Sequence, residues 1–170
     1  HHNGHAGLSA NGRDRKDGGT LAGLLKKLVQ IEDLKWLRLF YVYPDQLSDD
    51  VIQLVRDEEK ICKYLDVPIQ HISDKILTRM NRHTNKEQIR SMIGRLKKEI
   101  PNLFIRTSLM VGFPGETEED FAELKNFVKE GLLDHVGVFT YSHEEGTPSF
   151  RLPDDVPSDV KKQRQAEIYA

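Results

Sequence analysis

"RTSLMVGFPGETEEDF", Arg106 to Phe121, is an apolar run that ends in Gly-Phe-Pro-Gly and passes straight into an acidic segment. The wider run "LFIRTSLMVGF" has the length and apolar content of a strand. Pro114 cannot donate to a strand ladder, and Gly112 and Gly115 permit a tight turn. Thr117 then offers a helix N-cap, with Asp120 three residues on, an acidic variant of the capping box. In α/β folds ligands bind at the carboxyl ends of strands, where this turn lies. Phosphate fits it poorly, because Glu116, Glu118, Glu119 and Asp120 load the helix start with negative charge and no P-loop lysine is present. The glycines let backbone approach a neutral or cationic ligand closely. The plain alternative is a tight turn before a well-capped helix.

The same rhythm extends in both directions. Thr20 caps a predicted helix with Leu21, Leu24, Leu25 and Leu28 on its apolar stripe. "KWLRLFYVYP" reads as a strand stopped by Pro44, and "SDDVIQLVRDEE" as a short helix capped by Ser48 or Asp49. "KICKYLDVPIQ" is the next strand. A helix begins at "SDKILTRM", breaks at "NRHT" and resumes in "NKEQIRSMIGRLKKEI", with Ile89, Met92, Ile93, Leu96 and Ile100 on one face. Beyond the opening stretch, "HVGVFTYS" is a strand and "VPSDVKKQRQAEIY" a helix starting near Ser158 or Asp159. Alternating strands and helices predict an α/β fold with a parallel sheet. The strands read as continuous apolar runs, which predicts helices on both sheet faces. No Gly-x-Gly-x-x-Gly or Walker A pattern occurs.

The 170 residues suffice for one domain with a real core, and 38% hydrophobic against 31% charged content fits a globular chain. A formal charge of -2 argues against a general nucleic-acid or membrane-surface binder. No apolar run approaches the roughly 20 residues of a membrane helix. Cys62 is the lone cysteine, so the chain forms no internal disulfide and cannot by itself hold a Cys-rich cluster or structural zinc. On its strand it reads as a small buried hydrophobe. His1 to about Asn11 lacks periodicity and reads as a tag remnant with a linker; a metal site from His1, His2 and His5 is the alternative. His135 and His143 stand alone and receive no metal. The many carboxylates read as solvated helix faces, without an acid/base pair.

Five segments then matter together: "WLRLFYVYPDQLSDDVIQLV", "KICKYLDVPIQHISDKILTRMNR", "IRTSLMVGFPGETEEDF", "HVGVFTYSHEEGTPSFRLPDDVP" and "KKQRQAEI". In this order they resemble the radical S-adenosylmethionine methylthiotransferases. "YLDVPIQH" and "FTYSHEEGTP" look more like the RimO type, which modifies an aspartate of a small-subunit ribosomal protein, than the MiaB type, which modifies tRNA. The resemblance runs from about Gly12 to the end of the chain. It implies a partial (β/α)6 barrel whose first strand leads to a CxxxCxxC loop holding a [4Fe-4S] cluster. S-adenosylmethionine binds that cluster's fourth iron and yields, on reduction, a radical that abstracts hydrogen from carbon. It also implies a second cluster in an N-terminal domain and a C-terminal TRAM domain that helps bind substrate.

This chain has no CxxxCxxC. Residues 12–170 are therefore expected to be the later part of the core barrel: a truncated α/β barrel of radical SAM type, with about four parallel strands and covering helices. "ANGRDRKDGG" resembles the end of the loop after the second barrel strand. The cluster loop, the N-terminal cluster domain and the TRAM domain are expected to be absent, the piece inactive alone, and its open edge prone to pairing. The intact parent is expected to be a cytoplasmic transferase acting on a ribosomal protein, with no membrane or general nucleic-acid partner. A fragment of a MiaB-type enzyme and a cluster-free α/β ligand-binding module are the alternatives.

The resemblance also implies site residues. Gln70 and His71 approach the ribose and methionine portions of the cofactor, or else cap the next helix. Arg106, inside an apolar strand, pairs with the methionine carboxylate as a bidentate donor, or bridges outward to a helix carboxylate. Val111, Gly112 and Phe113 form a backbone and apolar wall beside adenine. Phe139, Tyr141 and Ser142 contact adenine, with core packing the alternative for Phe139. Arg79 and Arg82, with His83 nearby, contact a carboxylate of cofactor or substrate, or form a solvated helix end. No catalytic residue and no metal ligand is assigned within the chain.

Overall fold

The computed structural model describes residues 19–170. The His-rich opening and "ANGRDRKDG", with both readings given to them, lie outside the described residues. The elements run α1 (Leu21–Leu28), β1 (Leu37–Leu39), α2 (Asp49–Asp57), β2 (Ile61–Asp66), α3 (Asp74–Arg79), α4 (Lys86–Glu99), β3 (Phe104–Val111), α5 (Glu118–Lys129), β4 (His135–Thr140) and α6 (Ser158–Tyr169). The strands form one parallel sheet in the order β1-β2-β3-β4, so each neighbour in sequence is a neighbour in space.

Helix starts follow the predicted chemistry. Thr20 accepts from the backbone N–H of Gly23, and Ser48 is the N-cap residue of α2. Asn85 and Gln88 form a reciprocal capping box at α4, as Thr117 and Asp120 do at α5. The α4 stripe holds: Ile89, Ile93, Leu96 and Ile100 are buried, and Met92 packs against them. The α1 stripe is narrower than predicted, because Leu24 is half exposed while Leu25 is fully buried. β1 is also shorter than the predicted strand. Tyr41, two residues past its end, adopts φ 54°, which takes the chain out of extended geometry.

The largest correction concerns the sheet faces. Burial largely alternates along β3: Ile105, Thr107, Leu109 and Val111 are sealed, whereas on the other face Phe104 is exposed, Arg106 and Met110 are half-buried, and only Ser108 is buried. The sealed set joins Leu39, Ile61, Leu65 and Val138 in the core with Leu25, Val55, Ile93, Leu124 and Phe127 from the helices. The opposite face carries Arg38, Tyr64, Asp66, Phe104, Arg106, Met110 and Phe139, and much of it is open. Most helices therefore cover one face, while at the carboxyl end of the other Met110 packs against Ile76 of α3, Phe113 and Tyr141; the long apolar runs arose because this more open face also carries large apolar side chains. Tyr64 stacks on Phe104 at 5.6 Å and Arg38 lies over the Tyr64 ring at 4.7 Å. Cys62 is half-buried, not a core residue.

The β4 edge is not left bare. The Val138 N–H donates to Tyr169 Oη at 2.9 Å, and its carbonyl accepts from Gln165 Nε2 at 2.7 Å. Two side chains of α6 thus satisfy backbone groups that an open edge would offer to another strand.

Candidate functional site

The segments at the carboxyl ends of β2 and β3 converge with the α3 terminus and the Pro148–Arg151 turn on a cleft of about 450 Å³. Gln70, Arg79, Asn81, Arg82, Met110 and Phe113 line it, and Pro148 and Leu152 close one side. A smaller recess of about 280 Å³ adjoins it, with Tyr43, Pro68 and His83, and shares Asn81 and Arg82. Gln70 sits at φ 71° and Asn81 at φ 57°. Left-handed backbone at a non-glycine residue costs about 1–3 kcal/mol and gathers at ligand sites. At Gln70 the strain is locked by two β3 bonds: its N–H donates to the Ser108 carbonyl, and its own carbonyl accepts from Met110 N–H.

Beneath the cleft lies a buried polar core that holds the Gly112–Glu116 turn. Glu116 Oε2 accepts from the Gly112 N–H at 2.8 Å, and Oε1 accepts from Arg164 Nη1 at 2.8 Å. Both side chains are at most 5% exposed. Arg164 also meets Glu118, which is largely exposed. His71 is completely buried; its Nδ1 accepts from the Ser73 N–H at 2.9 Å, so a neutral ring carries its proton on Nε2. That Nε2 stands 3.6 Å from Glu116 Oε2, too far for a hydrogen bond, and has no other partner. Asp120 adds a second anchor through Ser73 Oγ (2.7 Å) and Lys75 Nζ (2.9 Å). Burial pushes its carboxyl upward, but hydrogen bonds from Ser73, the Thr117 backbone and Lys75 outweigh this and hold it well below the usual carboxylate range.

Gly112 and Gly115, at φ 73° and 80°, are required by what packs on them. A Cβ on Gly112 would stand 2.2 Å from Lys161 Cγ, and one on Gly115 2.9 Å from the Arg79 guanidinium carbon. Arg79 Nε donates to the Pro114 carbonyl at 2.9 Å, and Asp155 Oδ1 accepts from the Gly115 N–H at 2.7 Å.

The residues expected at a cofactor site separate accordingly. Gln70, Phe113, Arg79 and Arg82 line the cleft. Arg82 also lies over the Tyr43 ring, and Phe113 meets Tyr141 edge-on at 5.1 Å. His71 points into the buried network and bonds at the start of α3, the helix-capping reading. The Val111 side chain is sealed in the core, and its carbonyl accepts from Tyr141 N–H. Gly112 gives its N–H to Glu116, within the turn. Tyr141 is buried, with its hydroxyl 3.2 Å from His143 Nδ1, and Ser142 donates to Glu144. Phe139 is 55% exposed, so the core reading fails there. Arg106 bonds neither a helix carboxylate nor the cleft: its Nη1 donates to Asp66 Oδ2, on the neighbouring strand, at 2.9 Å.

Sequence reasoning missed Glu116, Asp66, Lys161 and Arg164, all of them buried. The carboxylates are therefore not all solvated helix faces. For Asp66 a signal existed, a charge inside the apolar run "ICKYLDVPI" like Arg106 in its own. For Lys161 and Arg164 there was none, because α6 is charged all round.

A family model for the radical SAM superfamily matches residues 11–128. The chain belongs to the radical SAM superfamily. Among curated radical SAM relatives it is 57% identical, over 161 residues, to the ribosomal protein uS12 methylthiotransferase RimO of Syntrophotalea carbinolica. That alignment covers 95% of this chain and 35% of the relative. The RimO of Geotalea uraniireducens is 52% identical over 161 residues (95% and 36%), and that of Clostridium novyi 48% over 159 residues (94% and 36%). The chain thus spans about a third of the length of these relatives. Among solved structures, the Escherichia coli coproporphyrinogen III oxidase HemN, a radical SAM enzyme, superimposes with TM-score 0.60 at 25% identity, over 77% of this chain and 30% of that one. TsrM from Kitasatospora setae, a radical S-adenosylmethionine methyltransferase, gives TM-score 0.57 at 19% identity, over 70% and 24%.

Radical SAM membership implies S-adenosylmethionine and a [4Fe-4S] cluster, and the two fare differently here. A cluster does not fit this donor set: Cys62 is the lone thiol, and among the described residues no three His, Cys, Asp or Glu side chains come together to hold a metal. The adenosyl cofactor fits the cleft, which is large enough for a small organic ligand and mixes apolar and aromatic walls with amide and guanidinium donors. No described helix is long and apolar enough to cross a membrane.

Proposed function

We propose that this chain is the later part of the core barrel of a radical SAM methylthiotransferase of RimO type, and that the intact protein converts a C–H bond of an aspartate in ribosomal protein uS12 to C–S–CH3. The observation that carries this reading is 57% identity over 95% of the chain to a uS12 methylthiotransferase. On this reading residues 12–170 supply strands and strand-end walls. The cluster thiolates, N-terminal cluster domain and TRAM domain belong to the length of the relatives that this chain does not span. The cofactor and cluster, when bound, supply the radical chemistry that opens an unactivated C–H bond. The chain's own residues do the positioning. Phe113 and Met110 give an apolar wall for adenine, and the Gln70 amide and the Arg79 and Arg82 guanidiniums give donors for polar groups at the rim. The buried Glu116–Arg164 pair keeps the Gly112 turn, and with it Phe113, in one geometry. Alone, the chain binds cofactor without turning it over, and the protein works in the cytoplasm.

The test is a chimera in which residues 12–170 replace the matching segment of the Syntrophotalea carbinolica enzyme. Mass spectrometry of uS12 after reaction under reducing, anaerobic conditions should find the methylthio group on one aspartate. A chimera that folds and carries its clusters, yet modifies only tRNA or nothing, refutes the assignment.

A further inference from the structure

His71 carries a buried donor that the polar network beneath the cleft leaves unused. The ring is wholly buried, and its Nδ1 accepts from the Ser73 N–H, so the neutral ring holds its proton on Nε2. That Nε2 has no hydrogen-bond partner among the described residues. It faces Glu116 Oε2, an equally buried acceptor, across 3.6 Å. The separation fits neither kind of polar contact. A direct bond to a carboxylate closes to about 2.7–2.9 Å. One water bonded to both groups would hold them about 4.5–5 Å apart. Arg164, which grips Glu116 Oε1 through Nη1, also keeps a sealed Nε without a partner. Buried donors left unmade are costly, and native proteins keep them where something else uses them. Here a donor and its acceptor stand ready, one short movement from a bond.

The two residues belong to the two turns that build the cleft. His71 directly follows Gln70, which lines the cleft and whose backbone is held at φ 71° against β3. Glu116 lies three residues past Phe113, another lining residue, and its carboxylate holds the Gly112 N–H just before it. We propose that His71 and Glu116 form a latch between these turns: a ligand in the cleft that touches both Gln70 and Phe113 draws the turns together, and the His71 Nε2–H then donates to Glu116 Oε2. The inference rests on the adenosyl-ligand reading of the cleft given above. His71 is a positioning residue, which acts through Gln70 and the Gly112 turn without touching the ligand. The closure needed is under about 1 Å, a displacement that packed segments make on binding without changing fold. Because the bond exists only in the liganded form, it adds to ligand affinity and contributes nothing to the stability of the free chain. The charge on Glu116 makes it a charge-assisted bond.

The test uses this chain labelled with 15N, with S-adenosylhomocysteine as the probe. The His71 Nε2–H is sealed from solvent and exchanges slowly enough to be followed by NMR. On saturation its resonance should move downfield and its exchange with water should slow, the marks of a new bond to a carboxylate. His71→Asn sets an amide oxygen where Nδ1 accepts from Ser73 and removes the Nε2 donor. By calorimetry it should bind the probe about tenfold more weakly, the weight of one charge-assisted hydrogen bond. Ser73→Ala cuts the tether from the same turn to Asp120 and spares the donor, so its affinity should stay near that of the native chain. If His71→Asn does not fold, the resonance of the native chain still decides. If the probe binds and shifts Gln70 and Phe113 while the His71 proton stays unchanged, the latch does not exist and the reading of the cleft stands. If the probe does not bind, the latch and the adenosyl reading of the cleft fall together, and the uS12 chimera still tests the enzyme assignment by itself.

Discussion

Replacing Glu116 by Gln should be among the most damaging single-atom changes in the molecule. The carboxylate has no exposed surface and serves two donors, the Gly112 N–H and Arg164 Nη1, each at 2.8 Å. The amide keeps the volume but not the charge, and it presents an NH2 to one of those two donors. The loss leaves a 5%-exposed guanidinium whose remaining side-chain partner, Glu118, is 76% exposed and screened by solvent. Removing one member of a buried pair costs about 3–5 kcal/mol. For a chain of this size that is a Tm lowered by roughly 6–20 °C. Glu118→Gln, which removes the other half of the Arg164 fork at the surface, should cost under about 1 kcal/mol. Urea titration of both variants and of Arg164→Met decides the matter. The double variant Glu116→Gln/Arg164→Met should recover part of the loss, because it leaves no uncompensated charge. A Glu116→Gln loss below 1 kcal/mol, or equal losses for Glu116 and Glu118, would refute the claim that the buried pair holds the turn.

Three further outcomes follow, two of them from the same region. Asp120 has its folded pKa held below its ordinary 3.8, so its contribution is complete above that value and is lost as pH falls below it; the acid limb of a stability–pH curve should flatten in Asp120→Asn, and an unchanged limb would count against the Ser73–Lys75 anchor. Gly112→Ala must place a methyl 2.2 Å from the buried Lys161 stem at φ 73° and should cost above about 2 kcal/mol by urea titration, whereas Gly94→Ala, mid-helix with nothing within 4 Å, should stabilise by about 0.5–1 kcal/mol.

The Gly112–Glu116 turn was legible to a large degree because its information is local. Thr117 and Asp120 sit three residues apart on what becomes one helical turn, and the capping box forms between them. Pro114 and the two glycines announce a backbone that only they adopt cheaply. The alternation of apolar runs with amphipathic stripes gave the parallel α/β order, since periods of two and 3.6 residues are written into the chain itself.

Two things were decided elsewhere. Which sheet face is open depends on where the helices pack, and aromatic or Met side chains on the uncovered face disguise the alternation: Phe104, Met110 and Phe139 extend the apolar runs that predicted two covered faces, yet Phe104 and Phe139 are exposed and Met110 is half-buried. The fate of each charge depends on partners distant in sequence. Glu116 finds Arg164 across 48 residues and Arg106 finds Asp66 across 40, and no local pattern tells a buried ion pair from a solvated face. The sequence alone determined the strand-turn-helix units and where their carboxyl ends lie, because hydrogen-bonding periodicity and backbone permissiveness act between near neighbours. The tertiary structure alone decided which polar groups leave water, because burial and charge pairing are set by whatever the fold brings alongside.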